Sequence, residues 1–584
     1  MCGTLKCKSG IAAMSTNMSV PQFDTIEGKS LNQEQKNYLS GYFAGLASKG
    51  VTFGDVAQVS GGVKEDGAPL ILEERIKKEE HPLDSYYRIV ENAASNKAPE
   101  KEEIFRFKWN GLFYLTPVKD AFMARLRIPG GQLKTFQLRE IAAIARELTT
   151  GYVQITTRAN LQIRLIQPKN APEFLRRIQS IGLHTRGAGA DNIRNLTSNP
   201  TAGIDPHEII DCTPCVQELG QFILSQREFY DLPRKFNIAF DGGGLIGSVE
   251  DTNDIGAKAV KIGDQIFFRI AVGGATGHKS FARDLGVLVP PQEIVKVIVA
   301  LVRVYIANGN RGDRKKARLK HLLEKWTLDQ YLVETEKLLG TTLQRVPLDP
   351  ATIHYPFESV PHSHIGAYPQ KQPGLSYLGV ALPVGQITPS QLLRLADIAD
   401  HYGSGEIRLT VWQNFIIPNI PNTFMESVKK DIRRIGLDHQ QSNLSSGVIA
   451  CTGNKYCKFS STDTKGHALA LIKHLDSWVK LDVPINIHFT GCPHSCAQHY
   501  MGDIGLLGTK SSDGLEAYHI CLGGGFGKNQ AVGRQVFQGM PFEEVKPTIE
   551  KILRLYLKNR QEKESFQAFT ARHDLNALQT LFSP

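Results

Sequence analysis

RIPGGQLKTFQLREIAAIARELTTGYVQITTRANLQIRLI, residues 127–166, returns in altered form as ALPVGQITPSQLLRLADIADHYGSGEIRLTVWQNFIIPNI, residues 381–420. The two stretches align without a gap at an offset of 254. Pro129 falls on Pro383, Gly131 on Gly385, Gln132 on Gln386, Gly151 on Gly405, Thr156 on Thr410 and Asn160 on Asn414. Gly182-Leu183 then falls on Gly436-Leu437, so the register holds for more than 50 residues and marks an internal repeat.

Each copy reads as strand, helix, strand, turn, strand and a second helix. Leu138, Ile141, Ile144 and Leu148 make an apolar helical stripe that Leu392, Leu395 and Ile398 repeat. Thr388-Pro389 is a helix start: a capping hydroxyl precedes a residue already fixed at helical φ. YVQIT and EIRLT alternate as half-buried strands do. Two β-α-β-β-α halves of this kind predict one pseudo-twofold α+β domain.

The copies differ in charge. Arg125, Arg127, Arg158 and Arg164 correspond to Gly379, Ala381, Trp412 and Pro418, while the glycine, proline and apolar scaffold is kept. Loss of four guanidinium groups together predicts that the first half faces an anion and the second does not. Arg158 and Arg164 flank a hairpin turn and strand, where position is rigid.

Four cysteines carry the chemistry. Cys451 and Cys457 form a C-x5-C pair in ACTGNKYCKF, and Cys492 and Cys496 a C-x3-C pair in TGCPHSCAQH, with 34 residues between the pairs. Four thiolates can hold a [4Fe–4S] cluster, one sulfur per iron. Structural zinc and inert buried thiols are the alternatives, though a five-residue gap is wide for a zinc knuckle.

TGNKYC and TGCPHSCAQ resemble the signature of the sirohaem-dependent nitrite and sulfite reductases: both spacings, a Thr-Gly in each motif and Cys492-Pro493 match. The resemblance runs from about Phe105 to about Leu557. It implies that the four cysteines bind a [4Fe–4S] cluster and that Cys496 also ligates the sirohaem iron. It implies ferredoxin-like halves, each followed by a sirohaem- and [4Fe–4S]-binding α/β domain. The expected division is an N-terminal arm 1–104, half one 105–185, domain one 186–364, half two 365–440 and domain two 441–584. His494 stands where the family often has Asn, which bears on cluster potential.

The same resemblance places Arg125, Arg194, Lys235 and Asn237 on the substrate side. An oxyanion on a haem iron needs cationic donors, and stepwise reduction needs protons. Arg127, Arg158, Arg164, Arg311, Arg314 and Arg318 are implied to meet sirohaem, the last three through a GNR-x-x-R-like segment. As one helix, RGDRKKARLK (311–320) would put those three along one side, leaving Lys315, Lys316 and Lys320 for an acidic donor; its bland reading is a solvated face.

Position 237 bears on substrate. The sulfite-reducing branch usually reads LPRKFK where this chain has LPRKFN, and one fewer cation suits nitrite, the less charged anion. The stretches from Tyr368, Tyr402 and Ser198 also look closer to ferredoxin–nitrite reductases. The expectation is six-electron reduction of nitrite to ammonium with reduced ferredoxin or flavodoxin; ferredoxin-dependent reduction of sulfite to sulfide is the alternative. A non-catalytic tetrapyrrole- or cluster-binding sensor is a rival of another class.

Composition narrows partners. The chain has 584 residues, 41% hydrophobic and 22% charged, with 68 basic against 58 acidic side chains, a net +10. Sirohaem carboxylates and acidic ferredoxins fit that charge; the basic runs lack the aromatic interleaving of nucleic-acid modules. No apolar stretch reaches a membrane span, since IVKVIVALVRVYIA from Ile294 carries Lys296 and Arg303. Nine cysteines in a chain this long fit a reducing compartment: cytoplasm, or plastid stroma in a photosynthetic eukaryote. Residues 1–23 hold no acid and no arginine, and read as a tail or an early start before Met14 or Met18 rather than a transit peptide.

Three motifs fail on context. Gly242-x-Gly244-x-x-Gly247 follows a strand but opens no apolar helix, so it is a strand-connecting loop and not a dinucleotide site. GGGFGKNQ from Gly523 lacks the first glycine and the Ser/Thr of a P-loop. Cys212-Thr-Pro-Cys215 has thioredoxin spacing without a thioredoxin unit around it, and Cys521 has no evident partner. Without nicotinamide or flavin motifs, electrons must arrive singly from a separate carrier.

Overall fold

The computed structural model of the chain describes residues 70–114, 117–118, 120–149, 151–346, 364–440 and 442–583, with isolated positions between 25 and 36. The reading of residues 1–23 lies outside the described residues. The chain divides into Met1–Leu70 and a main unit, Ile71–Pro584. Helices Leu72–Glu79, Tyr86–Ser95 and Lys101–Arg106 therefore belong to the main unit and not to an arm that runs to residue 104.

The repeat folds as its pattern requires. In the first half Pro129–Gly131 turns into strand Gln132–Lys134, helix Thr135–Glu147, strands Val153–Ile155 and Leu161–Ile166, and helix Ala171–Ser180. In the second, Pro383–Gly385, Gln386–Ile387, Pro389–Tyr402, Glu406–Leu409, Phe415–Pro421 and Met425–Arg434 follow in the same order. Thr388 accepts from Gln391 N and the Gln391 side chain reaches back to Thr388 N, closing a capping box.

The halves are interlocked. Gln132–Lys134 of the first pairs antiparallel with Glu406–Arg408 of the second, and Gln386-Ile387 of the second pairs antiparallel with Val153-Gln154 of the first. Each five-stranded sheet thus ends on a strand lent by the other half. Helices Thr135–Glu147 and Pro389–Tyr402 pack against each other, and their apolar stripes join one buried cluster.

Each half leads into a second five-stranded sheet with its own core. One runs Ile238–Asp241, Ile255–Ile262, Gln265–Val272, Arg283–Val289, Gln344–Arg345; the other Val448–Ala450, Ile487–Thr490, Ile504–Lys510, Glu516–Leu522, Arg534–Pro541. Both mix parallel and antiparallel pairs. IAFDGGGLIGSVEDTNDIG (238–256) and IHFTGCPHSCAQHYMGDIG (487–505) occupy the same place at an offset of 249. Val249 and Gln498, equivalent in that register, share φ of 57° and 56°. The glycine motif set aside as a dinucleotide site is therefore the other copy of the cysteine loop, with Gly243 and Gly247 where Cys492 and Cys496 stand.

The two sheets' loops also cross. Asp251 Oδ2 accepts from Gly527 N and Gln530 Nε2, both at 2.7 Å, while a Cβ on Gly277 would lie 3.1 Å from His494 O. The GGGFGKNQ stretch is thus an interdomain loop.

Candidate active site

The hairpin of the first half, the segment Arg194–Asn237 and the cysteine loop meet in the interior. Thr157, at the hairpin tip, donates from Oγ1 to Cys496 O at 3.0 Å. Next to it Arg158 donates to Asn253 Oδ1 (2.8 Å), Asn195 O (2.7 Å) and Ile238 O (3.3 Å), tying half one to the first of the two later sheets.

Cys496 keeps an exposed surface on the cysteine loop, while its thiol is crowded by surrounding protein. Burial pushes its thiol up, as does charge at Cys451; Lys235 and Arg125 pull it back. Burial pushes Cys492 up to about 12, with Cys496, Cys451 and Cys457 adding to the effect. Cys492 and Cys496 are therefore within charge–charge reach of each other and of both Cys451 and Cys457. Cys451 Sγ accepts from Gly491 N at 3.3 Å, and Cys492 Sγ is 3.4 Å from His494 Nδ1. Among the described residues no three His, Cys, Asp or Glu side chains converge as ligands of a single metal ion.

Arg125 and Lys235 are within charge–charge reach of Cys496, and Arg194 is within reach of both cations. The Arg125 guanidinium lies 4.6 Å from the Phe113 ring centroid and donates to Ala188 O at 3.4 Å. Arg194 Nη2 donates to Ala190 O at 2.7 Å, and its Nη1 is buried without a hydrogen-bond partner. Burial, then the charge of Arg125, holds Arg194 well below the usual arginine range. Burial, then Arg318, pushes Lys235 down to about 7, while the Cys496 charge works upward. The structure brings these three cations and Cys496 together.

Asn237 is placed by its backbone. Its N–H donates to Asp254 Oδ2 at 2.8 Å, and Asp254 is gripped by Arg318 through Nε (3.0 Å) and Nη2 (2.6 Å), both side chains buried. This clamp holds the strand start just after Lys235, and sequence reasoning missed it.

The six other arginines fall into two groups. Arg127 donates to Ile193 O, Arg158 to neutral oxygens, and Arg164 to Gln154 Oε1 (2.7 Å), Gln162 Oε1 (2.9 Å) and Thr452 Oγ1 (2.8 Å). None of these three makes an ion pair among the described residues, and burial pushes each down to about 10. With Arg125, Arg194 and Lys235 they form an interior set of cations that protein carboxylates do not neutralise. Buried charge of one sign is costly alone, so the set fits an anionic group with several carboxylates.

Arg311, Arg314 and Arg318 differ. Arg311 holds Glu74 and Asp231 (both 2.9 Å), Arg314 holds Asp191 (2.7 and 2.8 Å), and Arg318 holds Asp254. The single helical stripe expected for them is corrected. Residues 311–320 form a bend, a short turn Arg314–Lys316 and the start of helix Leu319–Leu322, because each arginine follows its own carboxylate. Their charges are spent on protein partners, which fasten helix Leu72–Glu79 and the Asp191 and Asp254 loops.

Cys212 and Cys215 sit at the start of helix Thr213–Ser225, Cys215 Sγ donating to Cys212 O at 3.1 Å. The hydrogen bond with its partner thiol Cys215, then burial, pushes Cys212 well above the usual thiol range, the state of a packed thiol.

Paired ferredoxin-like halves, a duplicated second domain, four thiols on two neighbouring loops and buried cations without carboxylate partners thus belong to one unit. Comparison agrees. The nitrite and sulphite reductase 4Fe-4S domain matches residues 189–343 and 442–582, and the nitrite/sulfite reductase ferredoxin-like half domain matches 116–181 and 368–435. The ferredoxin–nitrite reductase of Synechococcus elongatus is 35% identical over 77% of this chain and 88% of its own. Sulfite reductase [ferredoxin] 2 of Mycolicibacterium paratuberculosis is 30% identical over 88% and 94%. The solved structure of the Mycobacterium tuberculosis NirA protein superposes with a TM-score of 0.80 at 29% identity, covering 87% of this chain and 98% of that one. The chain belongs to the nitrite and sulfite reductase family, and membership implies an iron–sulfur cluster and sirohaem.

Proposed function

We propose that this protein is a ferredoxin–nitrite reductase that converts nitrite to ammonium with six electrons. The reading is supported by the mutual charge–charge reach of Arg125, Arg194, Lys235 and Cys496, with Asn237 two residues beyond Lys235. Cys451, Cys457, Cys492 and Cys496 would hold the cluster, and Cys496 would also ligate the sirohaem iron, which when bound supplies the site where nitrogen is reduced. Arg127, Arg158 and Arg164 are the cations best suited to the cofactors' negative charge. Arg164 serves the cluster side, since it stacks on Tyr456 at 5.3 Å and feels the charge of Cys457. Functional units at 105–185, 186–364, 365–440 and 441–584 suit this division of labour.

The chain's own part is binding and proton supply. Arg125 and the unpartnered Nη1 of Arg194 orient the oxyanion and screen its charge. Lys235 Nζ, poised near neutrality, gives a proton to the oxygen leaving as water and takes another from solvent. Asn237 offers an N–H without a further charge. In balance, nitrite takes up six electrons and eight protons and yields ammonium and two waters.

Relatives named for ferredoxin and nitrite support that donor and substrate, and give no support to flavodoxin. Among the described residues no helix is long and apolar enough to cross a membrane. The described cysteines are free, which suits a reducing cytoplasm or stroma. To test the function, holoenzyme is assayed with nitrite and with sulfite using reduced ferredoxin. The reading requires a larger kcat/KM for nitrite; a larger value for sulfite overturns it.

A further inference from the structure

Lys465 is a buried cation that the site described above does not use. It is the second residue of helix Thr464–Asp476, whose start is capped by Asp463, and its ammonium is enclosed in the second of the duplicated domains. Nζ donates to Val384 O, and to Ala450 O at 3.4 Å, both neutral carbonyls. Among the described residues it makes no ion pair. An ammonium inside a protein without an anionic partner is costly, so its retention needs a compensating negative charge.

That charge is available one residue away from its acceptor. Ala450 precedes Cys451 on strand Val448–Ala450, and Cys451 Sγ is 3.6 Å from Thr464 Oγ1, the neighbour of Lys465. Gly491 N also donates to that sulfur. Burial pushes Lys465 down to about 7, and among its charged neighbours Cys451 pulls hardest the other way, so negative charge at that sulfur is what holds the proton on Nζ. The duplicate domain supplies an internal control. Helix Thr213–Ser225 likewise begins with threonine, but its second residue is Pro214, and that domain has Gly243 and Gly247 where the cluster loop has Cys492 and Cys496. The copy without the thiols also lacks the lysine.

We propose that Lys465 is the internal counter-charge of the iron–sulfur cluster, a positioning residue that raises the cluster's reduction potential through Cys451 and lets it accept an electron within the closed interior. The inference rests on the proposal that the four cysteines hold the cluster. A fixed positive charge favours the reduced, more negative cluster; hydrogen bonds and charge around the sulfurs are the levers that set such potentials. A unit charge at this range in a protein interior changes a one-electron equilibrium by about tenfold or more. Tenfold corresponds to about 59 mV.

The test uses the full-length protein with Lys465→Gln, which keeps an N–H donor without charge, Lys465→Met, and Lys465→Arg. Iron and acid-labile sulfide are counted, the cluster potential is measured by spectroscopic redox titration, and the stability of the cofactor-free chain is measured by urea unfolding. The expected result is a cluster about tenfold harder to reduce in the Gln and Met variants and near the parent value in Arg. Cluster retained by Arg but lost from both neutral variants also supports the proposal. The cofactor-free neutral variants should be at least as stable as the parent, because an uncompensated buried charge has been removed. An unchanged potential in Gln and Met, or cofactor-free neutral variants that unfold more easily or fail to fold, assigns Lys465 to packing and overturns the inference. Parent protein that carries no cluster refutes the cysteine assignment instead.

Discussion

Removing Arg318 should leave one carboxylate stranded, and the protein contains the measure of what that costs. Asp254 and Asp503 are equivalent at the offset of 249, and their backbone surroundings match. Each accepts one main-chain N–H through Oδ2 at 2.8 Å, from Asn237 and Asn486 respectively, and each offers its carbonyl to a glycine, Gly273 or Gly523. Only Asp254 has an arginine. Asp503, buried with a single backbone donor, is pushed up by burial to about 7 from 3.8.

In Arg318→Leu, Asp254 should come to resemble Asp503. Breaking a buried ion pair by removing one partner costs about 3–5 kcal/mol, because the charge left behind is uncompensated. The sign follows from proton counts. Between about pH 4 and pH 7 the unfolded carboxylate has lost its proton while the folded one keeps it, so stability falls as pH rises across that window and stays low above it. Urea unfolding of the cofactor-free chain from pH 4 to 8 should show a deficit that is small at the acid end and full above pH 7. Hydrogen exchange at the Asn237 amide should accelerate in parallel. Arg318→Leu combined with Asp254→Asn should recover most of the loss, because the stranded charge is gone. A deficit below about 1 kcal/mol, or one flat between pH 4 and 7, refutes the reasoning.

The native Asp503 makes the same argument without its arginine: Asp503→Asn should weaken the fall in stability between about pH 4 and pH 7 and raise stability at pH 8, checked by the same unfolding series. Lys235→Met should lower kcat for nitrite by about 10²–10⁴-fold, the range of a lost general acid, with cluster and haem content unchanged; a loss confined to KM would make the lysine a binding group only. Asn237→Lys should raise the ratio of sulfite to nitrite kcat/KM, since it adds a cation where nitrite needs none, and an unchanged ratio removes that position from the specificity argument.

What the sequence made legible was whatever is carried by short-range pattern. The halves announced themselves because Pro129, Gly131 and Asn160 serve a turn and a hairpin tip that must be built the same way twice. The cysteine loop was legible because thiol spacing is local. The exchange of strands between halves was not: Gln132–Lys134 is three residues long, and nothing in three residues says that its partner lies at Glu406–Arg408. The clamp on Asn237 was hidden for the same reason, since Arg318, Asp254 and Asn237 meet from separate segments. The second duplication could have been found. Its offset is 249 where the first is 254, so a search at one fixed offset passes over it, and glycines at two of the cysteine positions disguise it.

That disguise points to how the function is divided. Both copies keep the parallel strand pair, the carboxylate that orders the strand start and the left-handed residue before it. On the proposed reading, one copy of each module then carries one half of the chemistry. The first half keeps the arginines and the second loses them; the first domain supplies Arg194, Lys235 and Asn237, and the second supplies the thiols and Lys465. The strands lent between halves and the crossed loops at Asp251 and Gly277 hold the two contributions face to face. An anion gripped by the first copy can receive electrons held by the second only if that junction is rigid. The lent strands and crossed loops therefore belong to the active site as much as the side chains they bring together.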